Sequence, residues 1–399
     1  MRYVILSVLA LFPFAIASAD TPAYLATSVS GMPATQVMAD SVKKGFRGLS
    51  VVNEKVIWLS GPRGLVGRST NGGKSFVWRR VAGYPKSDFR TLHAFDKKSA
   101  MVATAGTPAA ILTTHDGGKT WSERYTSNDS AMFFDGADFW NSKQGLIFGD
   151  PVNGRMVLMW TDCGGEHWSA IPDSLCPQLV EGEAAFAASG TTIQTLPGGH
   201  VYIATGGVKS RLWHSSDYGH HWEVFETPMI QGKPSQGIFS IAFADVLHGI
   251  IVGGDYLCDT CTVQNSFYTV DGGKTWQSYE RPTKGYRSCV TTGILWDEES
   301  MKQGNMKMPN RFILATGPTG TDVNPTGGGS GWISLQFFDY RNCPGTKLEW
   351  ESANTIQTTA DGQVIFFCGG NLGFAVLDLR EKHSRIHIRA FPKDICMQK

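Results

Sequence analysis

The chain has 399 residues, of which 42% are hydrophobic, and it carries 36 Lys and Arg residues against 35 Asp and Glu residues. This near-neutral balance argues against general binding of nucleic acid or of a charged membrane surface. The length suits an all-β propeller folded as a single domain.

The N-terminal stretch predicts export. Residues 1–19 contain one basic residue, Arg2, then an apolar run, and end in Ala-Ser-Ala. This order is typical of a secretory signal peptide cleaved after Ala19. No later apolar run reaches the roughly 18 residues that a membrane span needs. We therefore expect residues 20–399 to be one domain without a membrane span, secreted or periplasmic and monomeric.

The cysteines predict disulfides, because all eight follow the predicted signal peptide and an oxidising compartment favours pairing. Cys258 and Cys261 form the only CxxC pair. A local disulfide is the main interpretation, and a redox pair or part of a zinc site is the alternative. Cys163 and Cys176 are a second candidate bridge. No metal site and no cofactor are expected.

A short repeated stretch is the strongest signal in the chain. Residues 269–276 read Thr-Val-Asp-Gly-Gly-Lys-Thr-Trp, and related stretches begin at residues 69, 114, 161 and 215. The acid of such a stretch accepts hydrogen bonds from the following turn, and its glycines supply positive φ angles. Repeats 45 to 54 residues apart predict propeller blades. The acid positions are Asn71, Asp116, Cys163, Asp217 and Asp271.

Each repeat is expected to hold four short strands. The second strand and its loop recur at residues 56–61, 101–106, 145–150, 201–207, 249–255, 312–317 and 364–370. These units predict a seven-bladed β-propeller with four-stranded blades, of the WD40/YVTN-like kind. Residues 24–42 are expected to supply a strand near the C-terminus and so close the ring. A polar insertion at residues 296–310 is interpreted as a surface loop or, alternatively, as a lid or partner contact.

Polar residues fall at one equivalent position of several first strands, which line the channel of a propeller. Three Arg and two carboxylates in one concavity would suit a carboxylate or another polar ligand. The alternative is a structural ring in which these residues pair with one another. The loops that follow the second strands would either add polar groups to the rim of the channel or serve only to form turns. The first-strand residues are Arg47, Arg90, Asp135, Glu183 and Arg287, and the loop residues are Asp150, Asp255 and Tyr256.

The repeated pattern S/T-x-D-x-G-x-T-W resembles the Asp-box, or BNR repeat, of sialidases, sortilin-type receptors and the photosystem II stability/assembly factor family. The chain is most similar to the last family and its secreted bacterial relatives, over residues 45 to about 379. The resemblance implies that the box is structural and that a charged channel mouth contacts a partner. Some of these relatives are labelled oxidoreductases, but no GxGxxG follows a strand here.

Together these patterns predict an exported binding or assembly-type module whose partner is an unknown protein or a small polar or anionic ligand. No catalytic residue is assigned. The alternative is a sialidase-like glycoside hydrolase that uses the same pocket. The Arg-Ile-Pro signature of sialidases is absent, because Gly48 follows Arg47 and Thr91 follows Arg90. A redox protein built on the CxxC pair is the third interpretation.

Overall fold

The computed structural model describes residues 24–25, 45–295, 310–327, 329–339, 346–347, 352–370, 373–378 and 385–388. In this part of the chain the regular structure is β-strand, with two single-turn helices at Asp173–Leu175 and Pro197–Gly199. None of the helices described is long and apolar enough to cross a membrane. The predicted signal peptide and residues 296–309 of the predicted insertion lie outside the described residues.

Strand β1 (Tyr24–Leu25) precedes the ring. Three four-stranded antiparallel sheets follow, each formed by consecutive strands. The first contains β2 (Gly48–Val51), β3 (Ile57–Ser60), β4 (Leu65–Ser69) and β5 (Val77–Arg80). The second contains β6 (Phe89–Ala94), β7 (Ala100–Thr104), β8 (Ala109–Thr114) and β9 (Ser122–Ser127). The third contains β10 (Phe134–Phe139), β11 (Gly145–Val152), β12 (Arg155–Thr161) and β13 (Ser169–Ala170).

Three more four-stranded sheets lie in the second half of the chain. They are interrupted by a six-stranded sheet, which contains β14 (Glu183–Ala184), β17 (Gly206–Gly207), β20 (Gln236–Phe243), β21 (Gly249–Asp255), β22 (Ser266–Thr269) and β23 (Gln277–Ser278). The fourth four-stranded sheet contains β15 (Ile193–Leu196), β16 (His200–Ala204), β18 (Arg211–Ser215) and β19 (Glu223–Glu226). The fifth contains β24 (Cys289–Leu295), β25 (Asn310–Gly317), β26 (Gly320–Asn324) and β27 (Ile333–Ser334). The sixth contains β30 (Thr355–Thr358), β31 (Val364–Gly369), β32 (Gly373–Asp378) and β33 (Arg385–Ile388).

The all-β propeller and its four-stranded blades are confirmed, but the predicted seven-bladed propeller is wrong. The described residues form six four-stranded blades, and β20 to β23 belong to a six-stranded sheet that β17 and β14 extend at its inner edge. This extension depends on a close approach of Gly206 to Gly237. A Cβ atom on Gly206 would lie 2.8 Å from the Cα atom of Gly237. The two glycines therefore allow an extra pairing that the repeat pattern does not reveal.

Of residues 24–42, which were expected to help close the ring, the structure describes only Tyr24 and Leu25. The sixth blade takes all four of its strands from the C-terminal part of the chain, whereas β1 pairs in parallel with β28 (Gln336–Asp339), which also pairs with β29 (Thr346–Lys347). Closure is made by side chains between β2 and β30. The Val51 amide donates to Gln357 Oε1 at 2.8 Å, and Phe46 packs in one buried cluster with Phe366 and Phe374.

The repeated hairpin turns lie at the end of the blades where each first strand finishes. In the second blade the Gly117 amide donates to the Lys98 carbonyl oxygen, which joins the two turns at that end. Asp116 Oδ1 accepts hydrogen bonds from the Lys119 and Thr120 amides at 2.8 and 3.0 Å. The acid thus holds the turn together. These turns lie at the end of the propeller opposite the end where the first strands begin.

The third blade uses a thiol in place of the acid. Cys163 Sγ accepts a hydrogen bond from the His167 amide at 3.2 Å. Cys163 and Cys176 are both free thiols, so the predicted bridge between them is not formed. The sulfur of Cys163 instead accepts a hydrogen bond within its own turn.

Candidate ligand-binding site

Three first strands carry a β-bulge at the position where the sequence aligns polar residues. The extra residue of the bulge is Arg90 in β6, Asp135 in β10 and Phe239 in β20. A bulge interrupts the alternation of a strand, re-aims a side chain and often occurs beside functional sites. The backbone therefore gives these residues equivalent positions near the start of the channel.

A segment that the sequence did not single out, residues 185–191, lies across this end of the channel. We call it the crossing segment. The Ala188 carbonyl oxygen accepts a hydrogen bond from Arg47 Nη1 at 3.0 Å, and Ser189 Oγ donates to the Ser288 carbonyl oxygen at 2.8 Å. Arg47 precedes the first blade and Ser288 precedes the fifth. The crossing segment is thus attached to two blades that are not adjacent in the ring, and it lies across the channel mouth.

Two arginines lie together at the covered mouth. Arg47 is half-buried, and its pKa is lowered by burial and by the nearby charge of Arg90. Arg90 is partly exposed, and its Nε donates to Asp88 Oδ2 at 2.8 Å. Within the part of the chain that the structure describes, Arg47 makes no ion pair; its hydrogen bond goes to the neutral Ala188 carbonyl. The Asp88 carboxylate, which pairs with Arg90, is close enough to raise the Arg47 pKa but makes no ion pair with Arg47. Among the described residues Arg47 therefore has no direct carboxylate partner.

Two carboxyl groups lie beneath these arginines. Asp135 is 1% exposed, and among the described residues neither of its oxygens has a hydrogen bond of normal geometry. Burial raises its pKa well above the ordinary value and Asp150 adds to the shift, whereas Arg90 and the nearby Ala187 amide oppose it. Burial also raises the pKa of Asp150, whose Oδ1 accepts the Ala185 amide at 3.3 Å. Both shifts favour the protonated forms and reduce the negative charge available to neutralise Arg47.

Glu183 and Arg287, which the sequence assigns to the same site, are bound to other residues. Glu183 is buried, forms an ion pair with Arg211 and accepts a hydrogen bond from Thr205 Oγ1 at 2.6 Å. Arg287 is 1% exposed and its Nη2 lies 2.6 Å from Asp322 Oδ2. The predicted alignment fails at Glu183, because the first strand of the fourth blade is β15, ten residues further on. The alternative ring of mutual pairs is not seen either, since both partners come from third strands of the sheets.

The two rim residues have different surroundings. Asp255 is buried and accepts hydrogen bonds from Gln236 Nε2 at 3.1 Å and from the Leu257 amide at 3.0 Å, so it holds a turn. Tyr256 is exposed. Its ring lies 6.1 Å from the Phe239 ring, which stacks on Phe186 of the crossing segment at 3.8 Å. An aromatic wall therefore borders the mouth, a feature that only the fold reveals.

The CxxC pair lies in the loop that follows Tyr256. The Cα atoms of Cys258 and Cys261 are 5.4 Å apart, a separation that a disulfide permits. The disulfide itself stays a prediction. No helix begins at either residue in the described structure.

Behind the crossing segment the channel forms a cavity of about 520 Å³, lined by the first strands. His93 and Asp138 face it, with 4.0 Å between Nδ1 and Oδ1. Although 26% of the His93 side chain is exposed, burial among protein atoms lowers its pKa to about 4. Asp138 Oδ2 accepts the Thr195 amide at 2.7 Å. Among the residues described, no group of three or more His, Cys, Asp or Glu side chains is arranged to hold a metal ion.

The fold and the site define a β-propeller with a positively charged, covered channel mouth. No protein-family model matches this chain, and no curated protein matches it either. Several solved structures are similar to this chain. YCF48 from Cyanidioschyzon merolae is 16% identical over 91% of this chain and 100% of its own, with a TM-score of 0.55. YCF48 bound to D1 peptide is 13% identical over 87% of this chain and 94% of its own, with a TM-score of 0.53.

A glycoside hydrolase is also similar in structure. The GH74 xyloglucanase from Xanthomonas campestris is 13% identical, with a TM-score of 0.55 over 88% of this chain and 55% of its own. This chain therefore spans about half the length of that enzyme. At such identities these similarities show the propeller fold alone. At the level of the fold, the YCF48 structures support the predicted resemblance to the photosystem II stability/assembly factor family.

Proposed function

We propose that the protein is an exported binding module that holds an acidic polypeptide segment at the channel mouth. The observation that carries this proposal is Arg47. Its guanidinium group is half-buried, and no carboxylate of the described residues pairs with it. Removing a charge from water without an oppositely charged partner costs free energy. An anionic group of a ligand would supply that partner, and a guanidinium is well suited to hold a carboxylate.

Three features favour a polypeptide over a small ion. The crossing segment lies across the channel mouth, so we expect a ligand at Arg47 to lie on the face of the propeller. Beside Arg47 this face offers the half-buried Phe186 and the exposed Tyr256, which suit side chains of an extended segment. Both rings contact the buried Phe239. One structure with this fold, YCF48 bound to D1 peptide, carries a peptide ligand. The fold can therefore present a peptide site, and the charged mouth gives this chain a location for one.

The hydrolase alternative meets a geometric obstacle. Asp135 and Asp150, whose pKa values are both raised, are the acid pair that such an enzyme would need. Asp135 is buried beneath the crossing segment and has no exposed surface to offer a sugar. Arg287 is buried in an ion pair with Asp322, so it cannot join the two arginines of the mouth in binding one ligand. A binding role needs neither access to Asp135 nor a third arginine.

The experiment is a selection from a phage-displayed library of random dodecapeptides on the purified protein, followed by fluorescence polarisation with the enriched peptides. We expect acidic sequences that bind Arg47→Gln at least tenfold more weakly than the parent. The matched control is Arg80→Gln, at an exposed arginine on an outer strand, which should bind as the parent does. Unchanged affinity of Arg47→Gln, or no enriched peptide, would contradict the proposal.

A further inference from the structure

We infer that the loop formed by residues 256–263, which we call the CxxC loop, is a second anchor that takes apolar side chains of the same polypeptide. The inference rests on the proposed function and narrows its ligand. The partner would be a segment in which an acidic residue stands close to apolar residues, with the acid at Arg47 and the apolar side chains on the CxxC loop.

The CxxC loop exposes an unusual amount of apolar surface. Tyr256, Leu257 and Val263 are 48%, 79% and 62% exposed. Single exposed apolar residues are ordinary, but three large ones on one short loop form a patch of the kind that marks contact sites. Val208, which is also exposed, directly follows β17 of the same sheet.

The loop holds this surface in place through its own hydrogen bonds. The Leu257 amide donates to Asp255 Oδ1 at 3.0 Å, the Cys258 amide to the Asp255 carbonyl at 2.9 Å, and the Cys261 amide to the Cys258 carbonyl at 2.9 Å. The Tyr256 amide donates to the Ser235 carbonyl at 3.2 Å. Because the loop is already ordered, binding would cost little further backbone entropy. A rigid loop that displays Leu257 is suited to a contact with a partner.

The CxxC loop adjoins the charged mouth through Tyr286. The Tyr286 amide donates to the Asp259 carbonyl oxygen of the CxxC loop at 2.9 Å, and the Tyr286 side chain is close enough to Arg47 to affect its pKa. The Phe239 ring lies 4.7 Å from Tyr286 and 6.1 Å from Tyr256. A single residue, Tyr286, thus separates the loop from the guanidinium group. One extended segment can therefore contact both.

The charges of the channel mouth and of the CxxC loop indicate which class of partner fits both. The mouth offers the positive charge of Arg47. On the CxxC loop the exposed side chains at positions 256, 257 and 263 carry no charge, and the exposed Asp259 is acidic. A nucleic acid would require further positive charge where the surface is apolar. A purely apolar partner would leave Arg47 without an anion. An acidic and apolar polypeptide satisfies both halves at once.

The test compares Leu257→Ser with its matched control Leu247→Ser. Both leucines are exposed, and they lie beyond opposite ends of the same strand, β21. Peptides selected on the parent protein should pair an acidic residue with a nearby Leu, Ile, Phe or Trp. We expect Leu257→Ser to bind them about tenfold more weakly and Leu247→Ser to bind them unchanged. Replacing the apolar residue of the peptide by Ser should weaken binding to the parent but not to Leu257→Ser.

The outcomes separate this inference from the function on which it rests. Equal binding by the parent and Leu257→Ser, with loss in Arg47→Gln, would overturn the second anchor and leave the anionic site standing. Loss in Leu257→Ser with no loss in Arg47→Gln would overturn the proposed function. Sedimentation analysis covers a third case: a parent dimer that Leu257→Ser dissociates would assign the patch to a second copy of this chain and overturn the inference.

Discussion

Arg47 donates a hydrogen bond from Nη1 to the carbonyl oxygen of Ala188, 141 residues further along the chain and 3.0 Å away. This contact links the start of the first blade to the crossing segment. It also uses only one edge of the guanidinium group and gives it no negative charge. The closure of the channel and the unbalanced charge at its mouth therefore come from the same pair of residues.

The buried pair of Arg287 and Asp322 should be important for stability. Asp322→Ala removes the carboxylate and leaves a buried guanidinium unpaired, which we expect to lower the free energy of unfolding by about 3 to 5 kcal/mol. Chemical denaturation measures this loss. The control is Glu226→Ala, which breaks the exposed pair with Lys209 and should cost less than about 1 kcal/mol. Equal losses in the two variants would contradict the prediction.

The pKa of Asp135 should make stability depend on pH. A carboxyl group whose pKa is raised by folding costs nothing below its ordinary pKa of 3.8, and it destabilises the fold increasingly as pH rises from there. Asp135→Asn removes this cost. We therefore expect the melting temperatures of the variant and the parent to agree near pH 4 and the variant to melt higher at pH 7 to 8. The exposed Asp162→Asn should show no such divergence, and a difference that shrinks as pH rises would count against the prediction.

His93 should titrate far below an ordinary histidine. Burial lowers its pKa from 6.5 to about 4, so the neutral ring is favoured in the folded protein. The stabilisation from this ring is present above pH 6.5 and is lost as pH falls toward 4. An NMR titration of the imidazole resonances, with the His93 signal identified by its absence in His93→Asn, should give a midpoint near pH 4. A midpoint near 6.5 would show that water in the channel hydrates the ring fully.

The turn at Cys163 should accept the acid that the other repeats carry. Cys163 Sγ accepts the His167 amide at 3.2 Å, whereas Asp116 accepts two amides at 2.8 and 3.0 Å. Because a carboxylate is a stronger acceptor than a thiol, Cys163→Asp should raise the free energy of unfolding by about 0.5 to 1 kcal/mol. The reverse variant, Asp116→Cys, should lower it by a similar amount. Changes of the same sign in both variants, measured by chemical denaturation, would refute this account.

The local parts of the fold were open to prediction from the sequence. A hairpin turn such as that of Asp116 is held by atoms within four residues of one another, so its hydrogen bonds follow from the motif itself. The spacing of these turns then predicts sheets of four short strands around a channel. The bulges at Arg90 and Asp135 also fall where the aligned first strands predicted special positions.

The rest depends on contacts between distant parts of the chain. The partners of Glu183 and Arg287 lie 28 and 35 residues away, and the crossing segment meets Arg47 across 141 residues. The six-stranded sheet depends on the approach of Gly206 to Gly237. By itself the sequence determined the repeated turn and the four-stranded blade, because both arise from neighbouring residues. Only the tertiary structure decided which charges are paired and that the mouth is covered, because the free energy of a buried charge depends on what the folded chain places beside it.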